Sequence, residues 1–205
     1  MSIELQDAGA VPASDHLAMM LWDTDPELFA VAFRSDRAAW RRVFEAEWVA
    51  EIGLHTRRRA TLAVSDGREL GVVICFPGTD AVANFTASLE RECSNLSPEG
   101  AQALRHAFEL MGWLFPPIPD NVLYVINLVV SQEARGRGIG RLLMERAESL
   151  ARRLHLDGIH LDAVTKAPAF RFYCGIGYEP MVETRLYRLP EGYPLGGHSR
   201  MVKML

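Results

Sequence analysis

The chain has 205 residues, 49% of them hydrophobic and 23% charged, with a formal net charge of −4 at pH 7. A chain of this length and composition can bury the core of one compact domain, and no apolar run reaches the ~18 residues that a membrane-spanning helix needs. The net acidity also disfavours non-specific binding to nucleic acid.

The first fifty residues predict a short strand followed by helices. Residues Ile3–Leu5 suit the strand, and apolar residues then recur at helical spacing over Asp15–Trp22 and again over Asp25–Ala50. Pro26 suits the first turn of that second helical stretch. Its regularly spaced aromatic residues are typical of a buried core, although some of them could border a binding pocket.

The next segment predicts a hairpin and then a helical insertion. Ala60–Val64 and Leu70–Phe76 are apolar runs rich in β-branched residues, and the intervening Ser65–Arg68 is typical of a tight turn. Residues 77–121 then indicate an insertion of one or two helices, with a helix start at Ser97 and a helical pattern over Ala101–Leu114.

A glycine-rich turn follows the next strand. Val122–Val130 is an apolar, strand-like run, and Ile139–Leu154 is strongly amphipathic, with Gly158 just past its end. The residues on its apolar face are Ile139, Leu142, Leu143, Ala147, Leu150, Ala151 and Leu154. Between them, Arg135–Gly140 has glycine at every second position. Glycine permits unusual backbone angles and close approach of a ligand, while the helix start offers unpaired N–H groups and a partial positive charge. The run therefore predicts an anion site, most naturally for phosphate.

Two common phosphate-binding motifs do not fit this run. A dinucleotide fingerprint starting at Gly136 would need glycine at Arg141, and a nucleotide P-loop needs a Gly-Lys-Ser/Thr ending. The R-x-x-G-x-G run after a strand resembles the GNAT superfamily of acetyl-CoA-dependent N-acetyltransferases. Ile159–Val164 resembles the family's next strand, and Ala169–Tyr178 resembles its A-x-x-x-Y-x-x-x-G-F/Y segment, so the likeness covers roughly residues 120–190.

The resemblance implies a fold and a cofactor. The fold is α/β, or α+β: a GNAT-like central twisted sheet, mixed but mostly antiparallel, flanked by helices, with the helical insertion between strands 3 and 4. Residues 1–205 would form a single N-acetyltransferase domain, with residues 120–190 as its cofactor-binding core. Acetyl-CoA, the acetyl donor, would pair its pantetheine arm with a strand segment and place its pyrophosphate in the glycine-rich loop. The implied residues are Leu128, Val129, Val130, Arg135, Gly136, Arg137, Gly138, Ile139, Gly140 and Arg141.

The resemblance also suggests one catalytic residue and leaves another unassigned. Tyr173 matches the family's tyrosine near the cofactor sulfur, where a phenol could protonate the departing thiolate; it could also be a packing residue at the sheet surface. Many family members place a glutamate base on or near the central strand, but Asn127 stands in this stretch. Asp162, His160 and Glu109 have no distinguishing spacing, Asp162 being more typical of a structural residue. Proton removal through ordered water is an equal alternative, and no base is assigned.

Two further features have alternative interpretations. Lys166 stands where family members often carry asparagine, seven residues before the tyrosine, and could meet a cofactor phosphate or solvent. Residues 183–205 show apolar alternation around Arg185–Leu189 and Met201–Leu205, which predicts a final hairpin. That hairpin could border the acceptor site or form the interface of a homodimer.

The expected function is transfer of the acetyl group of acetyl-CoA to a primary amine by direct attack in a ternary complex. The alternative is a catalytically degenerate acyl-CoA-binding sensor, which the missing carboxylate on the central strand favours. The acceptor would be an amine-bearing small molecule or peptide, with no nucleic-acid or membrane partner. Residues 1–120 carry 10 Arg against 18 Asp+Glu, which suits a cationic amine but equally an ordinary solvated surface.

The remaining sequence signals concern metal binding and location. Cys75, Cys93 and Cys174 are far apart and indicate buried thiols, and neither they nor the histidines show metal-ligand spacing. We therefore expect no metal. The N-terminus has no basic region followed by an apolar one, which is not typical of a signal peptide, so a cytoplasmic location is expected.

Overall fold

The computed structural model describes residues 2–165, 167–187 and 197–205. Its centre is a sheet of seven strands in the order β1-β2-β3-β4-β5-β7-β6. The strands are β1 Glu4–Asp7, β2 Ala60–Ser65, β3 Arg68–Pro77, β4 Val122–Val130, β5 Gly158–Val164, β6 Glu179–Thr184 and β7 His198–Met204. Only the β4–β5 pair is parallel, and the other five neighbouring pairs are antiparallel. The predicted mixed, mostly antiparallel sheet is therefore confirmed.

Seven α-helices flank this sheet within the described residues. They are α1 Asp15–Trp22, α2 Pro26–Ala32, α3 Arg37–Trp48, α4 Ala81–Ser94, α5 Pro98–Leu114, α6 Ile139–Arg153 and α7 Pro168–Gly175. Among them, no helix has both the length and the apolar character needed to cross a membrane.

The two faces of the sheet pack against different helices. Neighbouring residues of a strand point to opposite faces, so they enter different cores. Val72 and Ile74 of β3 join a core with residues of α1, α2, α3 and α5. Val73 and Cys75 join a second core with residues of α6 and α7. We call these the amino-terminal face and the α6 face of the sheet.

The helical stretch predicted over Asp25–Ala50 is wrong in one respect, since the structure divides it into α2 and α3. Arg34 and Ser35 have φ angles of 52° and 61°, which a continuous helix does not allow. Asp36 then caps α3, its carboxylate accepting a 2.9 Å hydrogen bond from the Ala39 N–H. Aromatic residues on both helices enter one core, so their spacing alone concealed the break.

The helical insertion between β3 and β4 is confirmed as the pair α4 and α5. Ser97 caps α5 as predicted, accepting a hydrogen bond from the Gly100 N–H at 3.2 Å. The final hairpin is observed with a different first strand: β6 is Glu179–Thr184, upstream of the predicted alternation around Arg185–Leu189. Most of β6 is exposed and includes Pro180, so it lacks the alternating burial that sequence patterns detect. Residues 188–196 of the predicted hairpin, and Lys166, lie outside the described residues.

The key feature of the sheet is a gap between β4 and β5. Their pairing runs only from Val122 with Gly158 to Val125 with Leu161. Within the described chain, the last five residues of β4, 126–130, have no strand partner on that side. A bulge lies at the same place, because β3 residues Ile74 and Cys75 pair with Asn127 and Val125 and so skip Ile126. Strands β4 and β5 therefore diverge beyond Val125.

Candidate active site

The glycine-rich run forms an exposed turn between β4 and α6. Gly136 and Gly138 have φ angles of 76° and 78°, in the left-handed region that glycine adopts without strain. A Cβ at either position would meet no atom within 4 Å, so backbone conformation rather than space requires glycine there. Gly138 is the N-cap of α6, and no side chain caps this end. The first N–H groups of α6 are thus free to bind an anion.

Two predicted cofactor residues have packing roles in this turn. Gly140 is helical, and a Cβ there would lie 3.1 Å from Cζ of Phe172 on α7. The side chain of Ile139 is 1% exposed and lies in the core of the α6 face, so only its backbone can meet a ligand. These contacts hold the start of α6 against α7, which carries Tyr173.

The two arginines of the run and the adjacent Arg141 are exposed at the surface. Arg135 donates a hydrogen bond from Nε to the Val130 carbonyl at 3.2 Å, which joins the turn to the end of β4. Arg137 and Arg141 form no ion pair with any residue that the structure describes. They add positive charge beside the uncapped helix end, as a site for a polyanion would.

The predicted amphipathic face of α6 is mostly correct. Leu143, Ala147 and Ala151 are buried, as expected. Leu142 and Leu154, however, are 38% and 45% exposed, and Met144, which was not expected, is buried. The buried stripe packs α6 on the sheet and thereby holds its first turn in place.

A cavity of about 630 Å³ lies at the divergence of β4 and β5. Its lining includes Leu128 and Tyr173, which belong to the α6 face, and Asn127, whose amide faces the helices of the other side. The cavity thus reaches both faces of the sheet through the gap. Val129 and Val130 do not line it, and Val129 is buried in the core of the amino-terminal face.

Tyr173 projects from α7 into this cavity. Its side chain is 6% exposed and packs against Phe172 and Tyr178, with ring centroids 5.2 Å and 5.8 Å away. Its hydroxyl makes no hydrogen bond to a described residue. Burial raises the pKa of Tyr173 above its usual value, so the phenol stays protonated at neutral pH.

The three residues weighed as bases differ in position. Asp162 lines the cavity, but it accepts hydrogen bonds from Arg200 at 2.8 Å and 2.9 Å and from the Tyr124 hydroxyl at 2.7 Å. Because its partner Arg200 is only 2% exposed, this is a buried structural ion pair. His160 and Glu109 do not line the cavity, and Glu109 is exposed.

Asn127 and its neighbours bring together groups that the sequence did not indicate. The Asn127 amide nitrogen donates to Thr24 Oγ1 at 3.0 Å. Its side chain also interacts with the buried ring of His55, which precedes β2. One His55 ring nitrogen and one carboxylate oxygen each of Glu47 and Glu92 all lie within 4.8 Å of one another.

A second histidine lines the cavity from β7. His198 Nε2 lies 2.8 Å from an Asp25 carboxylate oxygen, at the start of α2. This contact and the Thr24–Asn127 hydrogen bond tie the turn between α1 and α2 to strands on both sides of the gap. No motif spacing could have revealed these groups, since they come from distant parts of the chain.

Comparison with known proteins agrees with this architecture. A sequence model of the acetyltransferase (GNAT) family matches residues 20–178. The chain belongs to the GNAT acetyltransferase family. No curated protein matches it in sequence.

Solved structures show the same fold at low sequence identity. An N-acetyltransferase from Staphylococcus aureus Mu50 superposes with a TM-score of 0.68 at 13% identity, over 98% of this chain and 100% of that one. An agmatine N-acetyltransferase gives a TM-score of 0.61 at 17% identity over 100% of both chains. The NatC complex bound to Gag peptide and CoA gives 0.53 at 15% identity, over 100% of this chain and 99% of that one. The resemblance to a GNAT fold, predicted from the glycine-rich run and the tyrosine segment, is confirmed.

The GNAT match extends over most of the cavity. It begins in α1 and ends at Tyr178, so it includes His55, Glu92, Asn127 and Tyr173. Strands β6 and β7 follow it, and β7 contributes His198 and Arg200 to the cavity wall. This acetyltransferase therefore completes its cavity with a segment outside the matched region.

Proposed function

We propose that the protein transfers the acetyl group of acetyl-CoA to a primary amine, by direct attack in a ternary complex. The observation that carries this proposal is the cavity that crosses the sheet between β4 and β5. It lets a thioester from the α6 face meet an amine from the amino-terminal face without a covalent enzyme intermediate. Membership of the GNAT acetyltransferase family supports the acetyl-transfer chemistry.

The cofactor would bind along β4 and the turn that follows it. The free N–H groups at the start of α6 suit its diphosphate, with Arg137 and Arg141 supplying positive charge. The unpaired edge of β4 suits the amides of the pantetheine arm, because an extended chain with free backbone groups can pair with it as a strand does. In this arrangement the thioester reaches the gap beside Leu128.

The reaction would proceed in balanced steps. The neutral amine attacks the thioester carbon, a C–N bond forms, and a backbone N–H of β4 stabilises the oxygen as it becomes an oxyanion. The C–S bond then breaks, and the thiolate takes a proton from the Tyr173 hydroxyl. The nitrogen, positively charged after the attack, loses a proton as the amide forms, and this proton returns to the Tyr173 phenolate so that the phenol is regenerated. Burial raises the pKa of this phenol, but the same dry surroundings raise the basicity of a thiolate, which narrows the difference between them.

The test is release of free thiol from acetyl-CoA with a broad panel of primary amines. Turnover with at least one amine, reduced by Tyr173→Phe, is the expected result. The second candidate, an acyl-CoA-binding sensor, is favoured by Asn127, because an amide at this place on β4 cannot act as a base. Tight acetyl-CoA binding without turnover on any amine would support the sensor and overturn the transferase.

A cytoplasmic location is part of the same proposal. It is supported by three free cysteines, Cys75, Cys93 and Cys174, since reduced thiols are typical of reducing compartments. The expectation that all three are buried is wrong for Cys174, which is exposed on α7. Cys174 does not line the cavity, so it offers no nucleophile to the thioester.

A further inference from the structure

Among the residues that the structure describes, the cavity has one buried carboxylate without a partner. The carboxylates of Asp25 and Asp162 have the partners described above, and Asp120 is exposed to solvent. Glu92, on the last turn of α4, lines the same cavity and is only 3% exposed. Its carboxylate forms no ion pair or hydrogen bond with any described residue. A carboxylate buried in this way costs free energy unless a positive charge binds to it.

The adjacent guanidinium does not supply that charge. Arg91 pairs with Glu47 of α3, whose carboxylate also accepts a 2.7 Å hydrogen bond from Ser88 Oγ. The groups facing Glu92 are therefore an already paired carboxylate, the Arg91 that pairs it, and the His55 ring. Burial, followed by the charge of Glu47, raises the pKa of Glu92, which Arg91 only partly opposes. Burial likewise lowers the pKa of His55, so its ring is neutral at neutral pH.

The buried His55 ring lies beside both Glu92 and Asn127, and its interaction with the Asn127 side chain raises the pKa of His55 against the larger, opposite effect of burial. A neutral imidazole donates from one ring nitrogen and accepts at the other, so a ring whose N–H faces the Asn127 amide oxygen keeps one accepting nitrogen. A primary ammonium group has three N–H donors. The two carboxylate oxygens of Glu92 and the accepting nitrogen of His55 together match those three donors in number and in type.

The rest of this part of the cavity is apolar. Aromatic rings of Phe29, Trp40, Phe85 and Phe108 line it from α2, α3, α4 and α5. They suit a hydrocarbon body and can also face an ammonium group favourably. A second positive charge on the same ligand would find the solvent-exposed carboxylate of Asp120 at the surface and otherwise apolar walls or the Arg200 guanidinium, with no free buried carboxylate among the described lining residues.

We propose that Glu92 and His55, with Asn127 orienting the His55 ring, form the acceptor site, and that it takes a primary amine with one positive charge and an apolar body. This rests on the proposed function and names its substrate class. The ammonium donates to the Glu92 carboxylate and to the accepting nitrogen of His55, then gives one proton to the Glu92 carboxylate, and its freed lone pair attacks the thioester carbon. Total charge is unchanged by this proton transfer, which suits a site enclosed by aromatic side chains.

The first experiment compares three amines on the purified full chain with saturating acetyl-CoA, by thiol release. Hexylamine and hexamethylenediamine have the same carbon chain and differ by one charge, and spermidine adds a third. We expect kcat/KM for hexylamine to exceed that for either polyamine by about 10-fold or more, because an additional charge in an apolar site has no partner. Equal or better turnover of the polyamines would overturn the proposed substrate class while leaving acetyl transfer intact.

The second experiment uses Glu92→Gln, with Glu90→Gln as the matched control on the exposed side of α4. We expect Glu92→Gln to lower kcat/KM for hexylamine by about 10- to 100-fold, the range for losing a charged hydrogen bond, with the KM for acetyl-CoA unchanged. The wild type should lose kcat/KM as pH falls and Glu92 becomes protonated, and the variant should lack this dependence.

Two outcomes separate the failure of the acceptor site from the failure of the proposed function. Equal hexylamine kinetics for Glu92→Gln and Glu90→Gln would overturn the acceptor site and leave the proposed function in place. Thiol release from none of the three amines or the broader panel, with acetyl-CoA still bound, would overturn both. A melting measurement shows that the Gln variant is folded, and the comparison of amines on the wild type does not depend on any variant.

Discussion

The two sides of the sheet build their parts of the cavity in different ways. On the α6 face, the predicted cofactor site comes from one continuous segment, in which β4, the turn Arg135–Gly138 and α6 follow each other directly. On the amino-terminal face, the proposed acceptor site joins α4, β4 and the loop before β2, with His55 and Asn127 more than seventy residues apart. A site made of neighbouring residues leaves a sequence pattern, and a site made of distant residues does not.

The variant with the largest expected effect tests the predicted cofactor site on the α6 face. Gly138→Asp should reduce coenzyme A affinity beyond detection by calorimetry, because it places a carboxylate where backbone N–H groups would meet a diphosphate. Gly67→Asp is the matched control, since Gly67 in the β2–β3 turn also has a positive φ, 74°, and open space around its Cβ. Both variants should lose roughly 1 kcal/mol of stability, the cost of a left-handed residue with a side chain. Unchanged coenzyme A affinity in Gly138→Asp would refute the predicted site.

The next largest effect is expected at Tyr173, which lines the cavity where the two faces of the sheet meet. Tyr173→Phe should lower kcat by about 100-fold, the range for loss of a general acid, with little change in the KM for acetyl-CoA. Tyr178→Phe is the control, because Tyr178 is also buried and does not line the cavity. If both variants retain full kcat, Tyr173 is a packing residue, which is the alternative that the sequence left open.

A smaller effect is expected from removing a surface charge at the predicted cofactor site. Arg137→Ala should weaken coenzyme A binding by about 2- to 5-fold at low salt, as expected for an exposed ion pair, and by less at high salt. Arg153→Ala, at the opposite end of α6 and also exposed, should leave affinity unchanged. Calorimetric titrations at two salt concentrations give both comparisons, and a loss of affinity independent of salt would mean that Arg137 does not face the phosphates.

The smallest expected effect is on the stability of the folded protein, through Glu92 of the proposed acceptor site. Glu92 keeps its proton to higher pH in the folded protein than its ordinary value of 4.5, so the folded state binds more protons than the unfolded state in that window. The free energy of unfolding therefore falls as pH rises from about 4.5 to the pKa of Glu92 in the folded protein. Above that pKa the free energy of unfolding falls no further through this group. Glu92→Gln lacks this loss and should melt a few degrees higher than wild type at about pH 8, with no difference at about pH 4.

Thermal melts at both pH values measure this prediction, with Glu90→Gln as the control that should match wild type throughout. A Glu92→Gln protein that is less stable than wild type at the higher pH would mean that the carboxylate has a stabilising partner when folded. Higher stability together with lower activity would instead show that Glu92 is retained for amine binding at a cost in stability.

Sequence reasoning succeeded where neighbouring residues determine the structure. Three local patterns predicted features that the structure contains. They are the apolar run Val122–Val130, the glycines at 136 and 138, and the apolar stripe of α6. It failed at the α2–α3 break, where aromatic spacing continues across Arg34 and Ser35, and at β6, whose exposed residues carry no alternation.

By itself, the amino-acid sequence determined the order of most elements, the positive-φ turn before α6 and the GNAT resemblance, because periodicity and backbone conformation depend on residues close in the chain. Only the tertiary structure decided that β4 and β5 diverge at the bulge, that Asp162 is occupied by Arg200, and that Glu92 faces the cavity without a counter-charge among the described residues. Burial, ion pairing and strand divergence depend on which distant segments pack together, and no local pattern records them.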